Sequence, residues 1–300
     1  MTAFRGLIAY PVTPFDESGA VDHAELGRHL ASLAVSGVDA VTVLGSSGSF
    51  AYLDADERSA VVRTAVRAVR DANPDLPVYA GVSAVATGEL LENVADVVGA
   101  GVDGLLVSTV SYVPLTEDEV AHQCRRVAEA SDLPICLYSN PGTTNFSFPL
   151  ELVAQLSKEP TIRGLKESTP DAASFAQRHE TLRSMVSGGF SHGLSGDALI
   201  ADAGFAGDAW HSGPASVLPR HFAALRAAAE AGDAVQTAKL RDELAPLMHE
   251  FNGLRKLSNL YALARAAGIE AGEPRLPLLP IPGSNRRDLA RLLEELGETL

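Results

Sequence analysis

Cysteine is almost missing from this sequence. Two thiols, Cys124 and Cys136, stand in 300 residues. One pair cannot make a disulfide framework, and neither has a second ligand at metal-site spacing. That scarcity fits a reduced, cytoplasmic compartment. Long apolar runs are missing too. None approaches the roughly 18 to 20 residues that span a bilayer. The opening segment, Met1 to Val12, has one Arg and only a short apolar run before Pro11, which does not fit a secretory leader. Positive charge is in deficit: 24 Lys and Arg stand against 38 Asp and Glu, for a net charge of −14. Nucleic acid and anionic membrane are therefore poor partners. Linkers and low-complexity tracts are also absent, so nothing divides the chain into separately tethered parts.

What remains is 46% hydrophobic, and its length suits one large core. Short β-rich runs alternate with longer helical patterns. The runs at residues 6–13, 40–44, 77–83, 104–109, 135–139, 162–167, 184–188 and 209–213 read as strands. Between them, residues 22–36, 54–71, 87–99, 116–130, 149–157, 171–182 and 197–203 read as helices. Thr116 and Glu119 form a capping box, and Asp54 caps the second helix. Most of the strands are near-continuous apolar runs, as a sheet covered on both faces requires. This pattern predicts an α/β fold, a (β/α)₈ TIM barrel at 1–218, with a C-terminal helical extension at 219–300 packed on it as one unit. Three helices are expected there, at 221–247 with a break near Gly232, 254–267 and 285–297. An open doubly wound sheet would carry a dinucleotide or phosphate fingerprint after its first strand, and residues 6–16 contain none.

In such barrels the chemistry sits at the C-terminal ends of the strands. Those ends carry Gly45-Ser46-Ser47-Gly48-Ser49, then Ser111-Tyr112, Tyr138-Ser139-Asn140-Pro141, Lys166-Glu167-Ser168 and His211-Ser212-Gly213. Hydroxyls dominate, with one lysine. Lys166 ends an apolar strand, where a charge is expensive unless it has a task or a partner. Desolvation favours its neutral form, and a neutral amine attacks carbonyls. Taken alone, the lysine could instead snorkel from the strand end, pair with Glu167 or bind phosphate. Tyr138 ends the neighbouring strand, with Cα atoms about 5 to 7 Å apart, and a phenol there can shuttle protons to an amine. The glycine-rich loop offers backbone N–H groups and serine hydroxyls to a carboxylate. His211 fits a substrate contact or an ordinary strand-end histidine.

These segments resemble the dihydrodipicolinate synthase / N-acetylneuraminate lyase family of class I aldolases. That family carries Gly-[Ser/Thr]-[Ser/Thr]-Gly-Glu, Tyr-Asn-x-Pro and Gly-[Ile/Leu/Val]-Lys-[Asp/Glu] in this order. Here they read Gly45 to Ser49, Tyr138 to Pro141 and Gly164 to Glu167, with 28 residues from Tyr138 to Lys166. Pro11-Val12-Thr13-Pro14-Phe15 and Arg275-Leu276-Pro277-Leu278 extend the likeness over nearly the whole chain. The resemblance implies that Lys166 forms a Schiff base with a small 2-oxo acid such as pyruvate. It implies that Tyr138 relays protons with Ser47 and Tyr112, and that Ser46, Ser47 and Gly48 hold the carboxylate. Thr143, Gly196 and His211 are further candidate substrate contacts. No cofactor or metal is expected, because the iminium supplies the positive charge. A homotetramer made of dimers is implied as well.

The departures from the family pattern carry information. Ser49 replaces the loop glutamate. Ser111 occupies the register of the second tyrosine, and Tyr112 follows one residue later. The arginine that binds the aldehyde carboxylate in dihydrodipicolinate synthases is replaced by Thr143, and the family's Gly-Asp is displaced to Gly196-Asp197. The expected activity is therefore carbon–carbon bond formation or cleavage with a different, uncharged or hydroxylated aldehyde. Two alternatives are a 2-oxo-3-deoxy sugar acid dehydratase using the same imine and a catalytically impaired binding protein. A metal-dependent hydrolase would need His or carboxylate ligands at several strand ends, which instead carry hydroxyls.

Overall fold

The computed structural model describes residues 3–203 and 207–297. The outermost residues of the spans expected at 1–218 and 219–300 therefore lie outside the described residues, as do 204–206. Eight parallel strands close into one barrel: β1 (Gly6–Ala9), β2 (Ala40–Val43), β3 (Val78–Val82), β4 (Gly104–Ser108), β5 (Ile135–Ser139), β6 (Ile162–Ser168), β7 (Ser191–Ser195) and β8 (Ala209–Ser212). β8 returns to pair with β1, with Ile8 beside His211. Helices α1 (His23–Ala34), α2 (Ala55–Ala72), α3 (Thr87–Gly99), α4 (Glu117–Ala130), α5 (Pro141–Thr144), α6 (Leu150–Leu156), α7 (Ala172–Met185) and α8 (Asp197–Asp202) follow successive strands. The TIM barrel read from the alternating pattern is thus the observed fold.

Local rules set the element ends. Capping boxes at Asp54 with Glu57 and at Thr116 with Glu119 open α2 and α4, each contributing about 1 kcal/mol. β1 is shorter than expected. Tyr10 N–H still donates to the Ser212 carbonyl, but Pro11 and Pro14 have no N–H to continue the ladder. The seventh strand is a correction. Residues 184–188 are not a strand; they form the end of α7 and the turn after it, and β7 lies at Ser191–Ser195. Its sequence, Ser-His-Gly-Leu-Ser, contains one large apolar side chain, so a search for apolar runs passes over it.

Beyond β8 come α9 (Pro219–Glu230), α10 (Ala234–Gly253), α11 (Ser258–Ala266) and α12 (Gly283–Glu295). The first expected helix is two, divided at Gly232, which sits at φ +69°. α11 starts later than expected because Leu257 has φ 72°, which a helix cannot include. Two apolar layers result. Phe4, Ile8, Tyr79, Leu106 and Cys136 pack inside the barrel, while a larger core joins the strands to their helices. No helix among the described residues is long and apolar enough to cross a membrane.

Candidate active site

A cavity of about 430 Å³ opens at the C-terminal ends of the strands, and the chain segment joining α10 to α11 forms its far wall. Strand alternation decides what faces it. On β6, Lys166 points into the barrel and Glu167 points out toward α7. Glu167 accepts two hydrogen bonds from Arg178, at 2.9 and 2.7 Å, and lies 3.0 Å from His192 Nε2. Burial pushes its carboxyl up, but the bonds from His192 and Arg178 outweigh that and hold it below the usual carboxylate range. Glu167 is therefore saturated elsewhere and is not the partner of Lys166.

Lys166 is 6% exposed, and it makes no ion pair among the described residues. Its register partner on β5 is Tyr138, as expected from the strand ends. The amine lies 4.1 Å from the centroid of the Tyr138 ring and 3.9 Å from that of Tyr10. Burial depresses the Lys166 amine below its ordinary value, with Tyr138 and Asp197 pulling weakly the other way. Burial raises the Tyr138 phenol, but the charge of Lys166 and the 2.7 Å hydrogen bond donated by Asn140 Nδ2 bring it below its ordinary value. The phenol of Tyr138 therefore stands beside the amine with its acidity raised by that same neighbour, a placement that lets it give and take protons at the nitrogen.

Ser46 and Ser47 line the same cavity. Neither hydroxyl has a protein partner among the described residues, so both are available to a ligand. Gly196 lines it too, immediately before α8, where Asp197 accepts from Ser212 Oγ at 3.0 Å and Gly213 N–H at 3.2 Å. His211 lies at the cavity floor, 2.8 Å from the Tyr10 hydroxyl.

Three expected site residues are not brought together there. Gly48 does not line the cavity. Its carbonyl accepts from Thr13 Oγ1 at 2.7 Å, and a Cβ would sit 2.8 Å from the Leu44 nitrogen, so the glycine serves the fold of the loop. Thr143 is exposed on α5, its hydroxyl turned back 3.3 Å from the Asn140 carbonyl. Tyr112 is 91% exposed on the loop after β4 and outside the cavity of its own chain. Ser49, in the glutamate's place, is buried and lies 2.9 Å from the Tyr261 hydroxyl, which donates to the Thr13 carbonyl at 2.8 Å. It ties the loop to α11.

The sequence reading missed Tyr10, Ser195, Asn252, Lys256 and Asn259, all of which line the cavity. Tyr10 carried one usable signal: counting inward positions along strand one places it above Ile8, at the strand's C-terminal end. The other four sit on elements whose closeness to Lys166 depends on the closed barrel and the packed tail. Among the described residues no three His, Cys, Asp or Glu side chains converge to hold a metal ion.

Comparison with known proteins agrees with this architecture. The sequence matches the dihydrodipicolinate synthetase family over residues 3–296. The 4-hydroxy-tetrahydrodipicolinate synthase of Methanosarcina mazei is 31% identical over 296 residues, covering 98% of this chain and 99% of that protein. The crystal structure of dihydrodipicolinate synthase from Agrobacterium tumefaciens superposes with a TM-score of 0.91 at 36% identity, covering 98% of each chain. That from Aquifex aeolicus superposes with a TM-score of 0.90 at 26% identity, covering 99% of each. The chain therefore belongs to the dihydrodipicolinate synthetase family, the carbon–carbon lyases of class I, Schiff-base aldolase type.

Proposed function

We propose that Lys166 condenses with a small pyruvate-like 2-oxo acid, and that the protein joins it to, or releases it from, an aldehyde other than the one used by dihydrodipicolinate synthases. One observation carries the reading: a buried amine, depressed by its surroundings, lies against the Tyr138 phenol and makes no ion pair among the described residues. The neutral amine attacks C2 of the acid and forms a C–N bond. The former carbonyl oxygen takes up two protons and leaves as water, producing an iminium ion. Loss of a C3 proton sends its electron pair toward nitrogen and gives an enamine. C3 then attacks the aldehyde carbon, the aldehyde oxygen takes a proton, and water releases the product and restores the amine. Tyr138 moves protons at nitrogen and at the departing oxygen, while the Ser46 and Ser47 hydroxyls hold the substrate carboxylate. The iminium supplies the electron sink, so this route asks for no metal.

Thr143 supports the change of aldehyde. Where an aldehyde-binding cation is expected, this chain has a short hydroxyl turned toward its own backbone. We also propose a homo-oligomer in which Tyr112 serves the cavity of a neighbouring copy, because Tyr112 and Val113 are both strongly exposed.

The test is intact mass after borohydride treatment with pyruvate, on the unaltered protein and on Lys166→Ala. The expected result is a stable adduct on the first and none on the second. No adduct with pyruvate or with longer 2-oxo acids would overturn the lyase reading.

A further inference from the structure

Behind Lys166, on the side away from Tyr138, lies a pair that the proposed imine chemistry does not use. Tyr10, the residue after β1, and His211 on β8 are both 3% exposed, and the Tyr10 hydroxyl lies 2.8 Å from His211 Nδ1. Space has been cleared for both. A Cβ on Gly45 would sit 2.9 Å from the Tyr10 ring, and one on Gly193 would sit 2.3 Å from His211 Nε2. Gly193 is also the register partner of Lys166 across β6 and β7. His211 Nε2 is buried without a hydrogen-bond partner, so the histidine's bonding is spent on Tyr10. The result is a tyrosine ring with its face 3.9 Å from the reacting nitrogen.

We propose that Tyr10, positioned by His211, is a second catalytic wall of this site, whose ring face carries the positive charge on Lys166 Nζ. The proposal builds on the reading of Lys166 as the imine-forming amine. With Tyr138 opposite, the nitrogen lies between two π faces. Aromatic faces attract a cation through their quadrupole, most strongly where water is excluded. A carboxylate in the same place would also hold the charge, but it would keep the amine protonated and poorly nucleophilic. A neutral ring stabilises the iminium with a smaller penalty of the same kind, because its attraction for the ammonium is weaker than a carboxylate's. The pair is neutral: burial pushes the Tyr10 phenol well above its ordinary value, and burial followed by repulsion from Lys166 pushes His211 well below its own. The other ionisable groups facing the amine are Tyr138 and Cys136 from β5, Asp197 after β7, and Lys256 from the segment before α11.

The experiment replaces Tyr10 with phenylalanine and then with mono-, di- and trifluorinated phenylalanine. These rings share one shape while the face loses negative potential with each fluorine. Two quantities are read on the full-length protein. The first is the pH midpoint for reductive methylation of Lys166 by formaldehyde and cyanoborohydride, followed by peptide mass, which needs no 2-oxo acid. The second is the pyruvate concentration giving half-maximal borohydride-trapped adduct. We expect the midpoint to fall stepwise by about one pH unit from phenylalanine to the trifluoro ring, and the half-saturating pyruvate to rise about tenfold or more. Tyr10→Phe keeps the ring but gives up the hydroxyl's bonds to His211 and Thr42, so its midpoint should fall at least as far as that of His211→Leu, and the fluorinated rings are compared with phenylalanine. His211→Leu should move the midpoint down, and His211→Gln, which keeps an acceptor for the phenol, should restore it. A flat midpoint across the fluorinated series overturns the proposal, whether or not pyruvate adduct forms. A falling midpoint with no pyruvate adduct on any form supports the aromatic wall and overturns the pyruvate reading instead.

Discussion

Lys166 and Glu167 are adjacent in sequence and both almost fully buried, yet they live in opposite chemical worlds. Glu167 faces the strand–helix layer, where Arg178 and His192 satisfy it. Lys166 faces the barrel mouth, where two rings and open space surround it. The barrel's N-terminal end repeats the first pattern. A cavity of about 820 Å³ opens there and exceeds the one at Lys166. Its three arginines are each paired, Arg70 2.6 Å from Asp103, Arg226 2.6 Å from Glu230 and Arg5 2.9 Å from Asp208. A large polar cavity whose cations are all held by carboxylates is architecture. A smaller one holding an unneutralised amine is where chemistry can begin.

The sharpest way to break this comparison is to remove each neighbour in turn. Lys166→Met should abolish adduct formation and turnover, yet the folded protein should lose nothing in stability at neutral pH. The sign follows from proton linkage. The folded-state amine is depressed, so between its folded value and the unfolded value of about 10.4 the unfolded chain binds more protons than the folded one. Lys166 therefore costs stability at low pH, and that cost fades as pH rises through the window between the folded and unfolded values. Thermal melts from pH 6 to 10 should show a stability gain for Lys166→Met that shrinks with pH. A uniform loss of stability would mean that the amine has a stabilising partner after all.

Glu167→Ala should do the reverse. It strands a buried histidine and one face of Arg178, and breaking such a network costs about 3 to 5 kcal/mol. Denaturant unfolding checks the cost, and borohydride adduct per folded molecule should stay within about threefold. Similar stability effects from both neighbours would erase the distinction between the two faces of β6. Tyr138→Phe is the next smaller change. The ring face stays and the hydroxyl goes, so turnover should fall by roughly 10²-fold or more. The pyruvate concentration for half-maximal trapping should barely move. A large rise in that concentration instead would reassign the hydroxyl from proton transfer to binding.

How much of this could be read beforehand follows from the same physics. A closed barrel was legible because β1 to β5 are apolar runs or close to it and strand patterns alternate with helical ones along the chain. β7 was not, since Ser191 and His192 fill its buried positions with polar groups whose partners, the Phe4 carbonyl and Glu167, come from distant parts of the chain. That Lys166 and Tyr138 stand side by side at the barrel mouth was legible because a charge and a phenol at neighbouring strand ends are costly or conspicuous. Tyr10 is equally close to the amine, but a tyrosine in an apolar strand looks like core. Thr143 and Gly48 were expected at the site from motif position alone. Motif position fixes where the backbone goes, and the side-chain or backbone hydrogen bonds to Asn140 and Thr13 decide where these residues point.

Tyr112 is the remaining test of the comparison, because it separates what one chain contains from what an assembly would add. Within its own chain it contacts nothing in the cavity, and its 91% exposure leaves its surface in water. If a neighbouring copy receives it, Tyr112→Phe should leave the melting temperature unchanged and lower turnover by about tenfold, the scale of losing one member of a proton relay whose other parts remain. Tyr112→Ala should in addition shift the sedimentation distribution toward smaller species, since the ring would be buried between copies. Unchanged turnover and an unchanged distribution in both variants would confine proton transfer to Tyr138. The mouth of a single barrel, with its amine held between Tyr138 and Tyr10, would then be the whole catalytic unit.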